Sequence, residues 1–553
     1  MATCTPRVPR HLFRHPSFQT HILCVHASRR HYSRIFTSNA CRFKCSTTAP
    51  ATSVQLSCPI SNPLVSAPRD LACRSSHQFG GPRVQFLHHD QAPLQHRAYI
   101  ALGSNLGHRI SMIEEACNKM DLTGQIRVRR TSSLWETKPM YVVDQDKFVN
   151  AVCEVKTSLS PLDLLDKLQA IEQNMGRVKV IDKGPRNIDL DILLYNNSKF
   201  SNERLQIPHS LMLEREFVLR PLCELIPDKG RSGSQAIALS DSLHSHLARL
   251  SSSSEEPLYP LTSIGHKLPT ISATHPRRGT RVMSILNITP DSFSDSGIHF
   301  NKDLHSLSQT VKFMVEQGAA IIDVGGQSTR PNAVQVSSAE EAKRVIPAIK
   351  MIRSVTKAEN IAISVDTYRA DIARQAVEAG ADIVNDVSAG LMDPAMLSTV
   401  AKAGCTVCLM HMRGTPETMQ DLTDYPDGLI ETVGRELLDR VRAAEEAGIR
   451  RWRIILDPGI GFAKTQDQNL ELLRRLDDLR RYPGLEGIPW LVGTSKKAFI
   501  GRITDTGDDL ELRNWGTAAA VTAAIQGGAD IVRVHDTVPM SRVAKMADAI
   551  WRV

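Results

Sequence analysis

The sequence predicts two unlike folded domains in series, a compact α+β domain and then a (β/α)8 barrel, behind a basic leader. Three observations carry that expectation. Residues 98–235 mix amphipathic and strand-like stretches over the length of one ordinary domain. From Arg281 onward eight short apolar runs recur, each followed by a polar residue and most by an amphipathic segment; this is the pattern of a parallel sheet buried on both faces. The first 97 residues share neither rhythm and contain no Glu.

The leader holds eleven Arg and one Lys against Asp70 and Asp90, which outweighs the net charge of +8 for the whole chain. The remainder is therefore slightly acidic, and it lacks the basic face that nucleic-acid binding needs. Stretches such as "RHLFRHPSFQ" and "SRRHYSRIFTS" are basic without a continuous apolar core, as organellar transit peptides are. The Arg density favours the mitochondrion (its matrix), with plastid or cytosol as alternatives. No apolar run is long enough to span a bilayer, so no membrane partner is expected. Six of eleven cysteines lie in the leader and the rest are scattered, which argues against a secreted disulfide framework. Cys405 and Cys408 form a C-x-x-C near His411, but without a second pair they read as buried thiols.

Order is expected to begin at "RAYIALGSNLG", a strand ending in a Gly-Ser-Asn turn. Amphipathic periodicity predicts helices at Ile110–Met120 and Pro161–Met175, and strands at Phe148–Val155 and Ile188–Tyr195. Ser, Gly and Pro then dominate, and residues 236–278 are read as a linker with one short helix at Ser240–Leu250. The barrel occupies 279–553. Its strands end at Gly325, Asp366 and Asp386, at Met410, and before Asn287, Asp457, Thr494 and His535. Polar residues thus gather where a barrel keeps its active site, at the C-terminal strand ends.

In "KGPRNIDLDILLY", Asp189 and Asp191 stand two apart on a strand and face the same way. Two such carboxylates suit Mg²⁺ with substrate phosphates completing its shell, or they form a solvated acidic edge strand. Arg186 on the preceding turn can fork onto a phosphate. The context of "ALGSNLG", "FVNAV", "IEQNMGR", "GPRNIDLDILL" and "IPHSLMLEREF", in that order, resembles 6-hydroxymethyl-7,8-dihydropterin pyrophosphokinase over Ala98 to about Pro227. The resemblance implies a ferredoxin-like α+β fold and transfer of the β,γ-pyrophosphoryl unit of ATP to a pterin hydroxymethyl group. It implies Mg²⁺ at Asp189 and Asp191, and ATP contacts at Glu172, Arg177, Arg186, His209 and Arg215. Asn150 and Phe217 match the family's pterin clamp. Lys179, Asp182, Lys183 and Ser210 depart from the pattern common in bacterial members.

The barrel strand ends offer "LNITPDSFSD", "DVGGQSTRP", "SVDTY", "IVNDV", "LDPGIGFAK", "GTSKK" and "VRVHD". Acids and an amide suit the amino-pyrimidine edge of a pterin, and Arg, Lys and His suit an anion. This half resembles dihydropteroate synthase from about Arg281 to Val553. The resemblance implies pterin contacts at Asp366, Asn385, Asp457 and Lys497. It implies Mg²⁺ and pyrophosphate contacts at Asn287, Arg330, Arg533 and His535, and a p-aminobenzoate pocket framed by Thr329, Arg330, Pro331 and Ser495. Gln327 and Lys496 depart from the commonest bacterial pattern.

Together the halves are expected to form a bifunctional folate-synthesis enzyme acting on 6-hydroxymethyl-7,8-dihydropterin, ATP and p-aminobenzoate. Asp189, Asp191 and Arg186 would carry the first step, and Lys497 and Arg533 the second. Homo-oligomers through the barrel are expected. The alternatives are a chain with one decayed or scaffold half, and a pterin-binding methyltransferase barrel.

Overall fold

The computed structural model describes residues 93–553 except 141, 143, 178–183, 228–239, 254–256, 266–267, 289–303, 328–334 and 356–357. The leader up to residue 92, Thr329, Arg330, Pro331, Lys179, Asp182 and Lys183 thus lie outside the described residues, and the leader's last two residues, His96 and Arg97, already belong to the first strand.

The smaller domain is built on an antiparallel sheet. Its strands are β1 (His96–Ser104), β2 (Ile126–Thr131), β3 (Leu134–Thr137), β4 (Phe148–Thr157) and β5 (Asp189–Tyr195). Short strands β6 (Phe200–Ser201) and β7 (Gln206–Ile207) pair separately. β1 and β4 are central and buried along almost their whole length, so they read as apolar runs, whereas β5 pairs only with β1 and forms an edge. Helix Pro161–Asn174 starts where Ser160 accepts a hydrogen bond from Asp163 N and Pro161 fits the first turn. Leu164, Leu168 and Ile171 then put one apolar stripe on the sheet. Helix Arg109–Leu122 covers the same core, through Ile113, Ala116 and Met120.

The expected helix of the linker is present as Ser240–Ser253. The segment after it also carries a strand, β8 (Tyr259–Leu261), which pairs with β3 and extends the first domain's sheet. Three residues alternating with Ser, Glu and Pro give no periodic signal, so only tertiary pairing makes this strand.

The eight apolar runs form the barrel strands β9 (Arg281–Asn287), β10 (Ile321–Gly325), β11 (Ala362–Asp366), β12 (Ile383–Asp386), β13 (Thr406–Met410), β14 (Ile454–Asp457), β15 (Leu491–Val492) and β16 (Ile531–Val534). They are parallel in the order β14-β13-β12-β11-β10-β9-β16-β15, and a parallel bridge from Leu456 to Trp490 nearly closes the ring. The run "WRIIL" yields strand only from Ile454, because Trp452 and Arg453 lie in a 3₁₀ turn.

Strand alternation positions the site. Met283, Ile321, Ala362, Ile383, Cys408, Ile455, Leu491 and Ile531 form one inward layer at the N-terminal end, sealed by Ile264 and Ile271 of the linker. Two or four residues further along the same faces stand Asn287, Asp323, Asp366, Asn385, Asp457 and Arg533. The apolar plug and the polar mouth are therefore one period-2 pattern, read from bottom to top.

The domains dock through the barrel's underside. Trp452, 1% exposed, packs in the small domain's core and donates to Glu114 Oε1 at 3.0 Å. Arg453 also binds Glu114, at 2.6 and 2.5 Å, and Arg450 meets Asp121 at 2.9 Å. Among the described residues no helix is long and apolar enough to cross a membrane. Cys405 and Cys408 are buried free thiols, as expected, as are Cys117, Cys153 and Cys223.

Candidate active sites

In the small domain the predicted residues converge on a cavity of about 150 Å³ at the β5 edge, lined among others by Asn150, Arg186, Asp189, Asp191, His209, Arg215 and Phe217. Asp189 and Asp191 share a face, with Leu190 turned to the core. Asp189 Oδ2 meets Arg186 Nη1 at 2.6 Å and its Oδ1 meets Arg177 Nη2 at 2.8 Å. Arg177 also pairs with Glu172, whose Oε1 accepts from Leu190 N at 2.7 Å. Glu172 thus fixes both Arg177 and the strand that carries the two acids. Burial, then Asp189 and Glu172, push the Asp191 carboxyl up to about 7 against the pull of Arg177 and Arg186. Burial beside like charge accounts for that rise. Among the described residues no three His, Cys, Asp or Glu cluster to hold a metal. The pair fits a hard cation that takes its other ligands from phosphate and water, as Mg²⁺ does.

Asn150, 8% exposed, donates to Thr137 Oγ1 at 2.7 Å, leaving its carbonyl oxygen beside Gly103. A Cβ at Gly103 would sit 3.2 Å from that oxygen, so the glycine keeps the amide's approach open. Arg215 lies 5.9 Å over the Phe217 ring. Burial, then Arg215, lower the His209 pKa, so this imidazole is neutral at physiological pH. Ser210 sits on the turn beyond His209. One residue escaped assignment. Asn105, in the quoted "ALGSNLG", accepts from Arg186 N at 2.8 Å and donates to Gln145 Oε1 at 3.0 Å and Asp146 O at 3.1 Å. It ties the arginine's turn to the far wall of the cavity. Its 1% exposure beside a loop was the available signal.

In the barrel, Arg533 is the centre. Its Nε meets Asp323 Oδ2 and its Nη2 meets Asp366 Oδ2, each at 2.6 Å. Asn385 donates to Asp323 Oδ2 at 3.3 Å. Asp323 Oδ1, Asp366 Oδ1 and Gln327 Nε2 are buried without a hydrogen-bond partner. Such atoms are costly unless a ligand satisfies them. Burial outweighs Arg533 and pushes the Asp366 carboxyl up to about 7. Asp457 accepts from Gly459 N at 2.7 Å, and Gly459 has φ +69° with His411 O only 1.9 Å from where a Cβ would stand. Glycine is required there, and the turn aims Asp457 inward. Lys497 donates to Ile460 O and lies 4.8 Å over the Phe462 ring; burial lowers its pKa to about 8, with Asp457 opposing. His535 Nδ1 and Ser495 Oγ share a hydrogen bond of 3.0 Å. Asn287 Oδ1 and the Asp366 side chain flank Gly325. Lys496 turns instead to Asp536, at 2.8 Å, and Gln327 accepts from Arg369 at 3.3 Å.

Two readings of the sequence change here. Asp386, offered beside Asn385, points away into a loop cap and accepts from Ser388 N and Oγ and Gly390 N. Asp323 went unnamed, because inside the apolar run "AAIIDV" it sits two residues before the strand end.

Acid and amide side chains beside a basic cluster, in each of two domains, suit polar ligands that carry an anionic group. The comparisons make this particular. Residues 99–227 match the family model of 7,8-dihydro-6-hydroxymethylpterin-pyrophosphokinase, and residues 283–535 match that of the pterin binding enzymes. The folic acid synthesis protein fol1 of Pneumocystis carinii is 48% identical over 82% of this chain, and the mitochondrial folate synthesis bifunctional protein of Arabidopsis thaliana is 41% identical over 83% of it. The chain covers 84% of the Arabidopsis protein but only 60% of the Pneumocystis one and of its Schizosaccharomyces pombe counterpart. In fold it is similar to a Plasmodium falciparum HPPK-DHPS crystal structure with pteroate, at TM-score 0.68 and 21% identity over 83% of this chain and 98% of that one. The chain belongs to the family of bifunctional pyrophosphokinase and dihydropteroate synthase proteins of folate synthesis.

Proposed function

We propose that the chain catalyses two consecutive steps, pyrophosphorylation of 6-hydroxymethyl-7,8-dihydropterin by ATP and condensation of the product with p-aminobenzoate to 7,8-dihydropteroate. The observation that carries this is the pair of sites, each setting buried acid or amide groups beside a basic cluster. We assign residues 98–235 to the first step, 279–553 to the second and 236–278 to the linker.

In the first site Asn150 reads the pterin edge and Phe217 stacks on its ring. Asp189 and Asp191 would hold Mg²⁺, which when bound would neutralise the ATP phosphates. Arg177 and Arg186, which Asp189 orients, then face the charge that leaves with AMP as the pterin oxygen bonds to the β-phosphorus. Arg215 and His209 hold the nucleotide, and Glu172 keeps Arg177 in place. In the second site Asp366, Asn385, Asp457 and Lys497 grip the pterin, and Asp323 joins them. Its donors satisfy the orphaned carboxylate oxygens. Arg533, His535 and Asn287, with Arg330, hold the pyrophosphate, and Mg²⁺ belongs beside Asn287. As the C–O bond to pyrophosphate breaks, Arg533 takes up the released charge, and the pterin ring delocalises the cation left on its methylene. The arylamine, framed by Ser495, Thr329 and Pro331, bonds to that carbon and gives up its proton.

The Arabidopsis and Pisum sativum relatives are named as mitochondrial, which with the basic leader supports import to the matrix. Homo-oligomers are supported by the exposed apolar side chains of Trp515, Leu512 and Ile503 on the barrel, the last of which lines a groove of about 700 Å³. Purified protein given the pterin, ATP, Mg²⁺ and p-aminobenzoate should release AMP, pyrophosphate and dihydropteroate in equal amounts. AMP without dihydropteroate would reduce the reading to its first half.

A further inference from the structure

The linker strand β8 reaches both domains. Leu134, Trp135 and Glu136 of β3 pair with Leu261, Pro260 and Tyr259. Immediately after β8, Thr262 exchanges two hydrogen bonds with Ile271, at 2.8 and 2.9 Å. Ser263 donates from its backbone to Trp452 O at 3.1 Å and accepts from Thr406 Oγ1 at 2.7 Å. Ile264 and Ile271 are buried in the base of the barrel. The strand is therefore anchored in the barrel within three residues of its end.

Its partner β3 runs into the first site. Thr137 ends β3 and its Oγ1 holds the Asn150 amide. Glu136, opposite Tyr259, holds Arg109 at 3.0 Å and Lys147 at 3.2 Å. A second cavity of about 510 Å³ lies between β3 and the linker, walled by Tyr259 and His275, whose rings meet at a tilt of 58° with centroids 4.6 Å apart. It shares Thr137, Lys138, Met140 and Phe217 with the smaller catalytic cavity. The residues around the pterin thus have the linker at their back.

We propose that Tyr259–Leu261 is a positioning element of the kinase: by pairing with β3 it holds Thr137, and through Thr137 the Asn150 amide, in register for the pterin. This rests on the pterin role proposed for Asn150 and Phe217. The barrel domain then contributes to the affinity of the first site without touching its substrates, through this paired strand and apart from the docking contacts of Trp452, Arg450 and Arg453.

The test uses the full-length protein with Tyr259→Gly, Pro260→Ser and Leu261→Gly together, and separately Thr137→Val and Thr137→Ser. The triple variant should raise the kinase KM for pterin by about five- to tenfold, leaving the KM for ATP and both synthase constants unchanged. Thr137→Val should shift the pterin KM the same way, and Thr137→Ser should restore it. An unchanged pterin KM in the triple variant or in Thr137→Val would overturn the proposal, as would an equal rise for ATP. If the triple variant fails to fold, Tyr259→Gly alone takes its place, with a smaller rise in the pterin KM expected and an unchanged one overturning the proposal. Absence of pterin-stimulated AMP release from the unaltered chain would instead overturn the kinase reading, and the positioning role with it.

Discussion

The two sites solve one electrostatic problem in opposite ways. On β5, an edge strand, the acids are reached by arginines from turns and the helix end, and Arg177, Arg186 and Asp189 are all partly exposed. In the barrel, Arg533 bridges Asp323 and Asp366 inside a nearly closed ring of strands, and one oxygen of each acid is orphaned. The edge site holds its acids among paired arginines and partly open to solvent. The barrel site is preorganised, and its cost is borne by the fold. The lesson is that an edge strand leaves paired acids open to added ligands, whereas a barrel mouth fixes its acids in advance.

Breaking each site should expose this contrast. Arg533→Met should be the most damaging change, since it leaves two buried carboxylates uncompensated. We expect synthase activity to vanish and stability to fall by about 3–5 kcal/mol, read from denaturant unfolding. Asp191→Asn should lower metal-dependent AMP release about a hundredfold or more without lowering the melting temperature in metal-free buffer. Burial already disfavours the charged Asp191, its folded pKa being raised from 3.8 to about 7, so neutralising it removes a cost near neutral pH. A large loss of stability there would erase the contrast. Trp452→Ala should cost about 3–5 kcal/mol and separate the unfolding of the two domains, visible as two calorimetric transitions in place of one.

Smaller effects sharpen it. Asn105→Ala should weaken the kinase alone, by about 1–2 kcal/mol in kcat/KM, because it loosens the turn that carries Arg186. The pH profile of synthase kcat/KM should fall on the acid side as Asp366 takes a proton, near 7, and on the alkaline side as Lys497 loses one, near 8. Lys497→Arg should move the alkaline limb upward.

Much of this was legible because period-2 alternation and strand-end placement are local. The eight barrel runs and the pairing of Asp189 with Asp191 on one face follow from spacing alone. What escaped was tertiary. Tyr259–Leu261 is too short to show a period, and it becomes a strand only because β3 offers an edge. Trp452 looked like the start of a barrel strand but fills the neighbouring domain's core. Asp386 and Asn385 are adjacent, and only the loop's hydrogen bonds reveal which faces the mouth. Asp323 hides in an apolar run, since a buried acid in a strand declares itself only once Arg533 is seen beside it.

The central claim is that one chain holds two separate sites acting in sequence. The most direct measurement follows AMP and dihydropteroate together in Asp191→Asn, in Arg533→Met and in their equimolar mixture. We predict that Asp191→Asn makes dihydropteroate only from added pterin pyrophosphate, that Arg533→Met releases AMP and stops, and that the mixture restores the full reaction. Loss of both activities in Asp191→Asn, or a mixture that stays inactive although each variant keeps its own step, would contradict it.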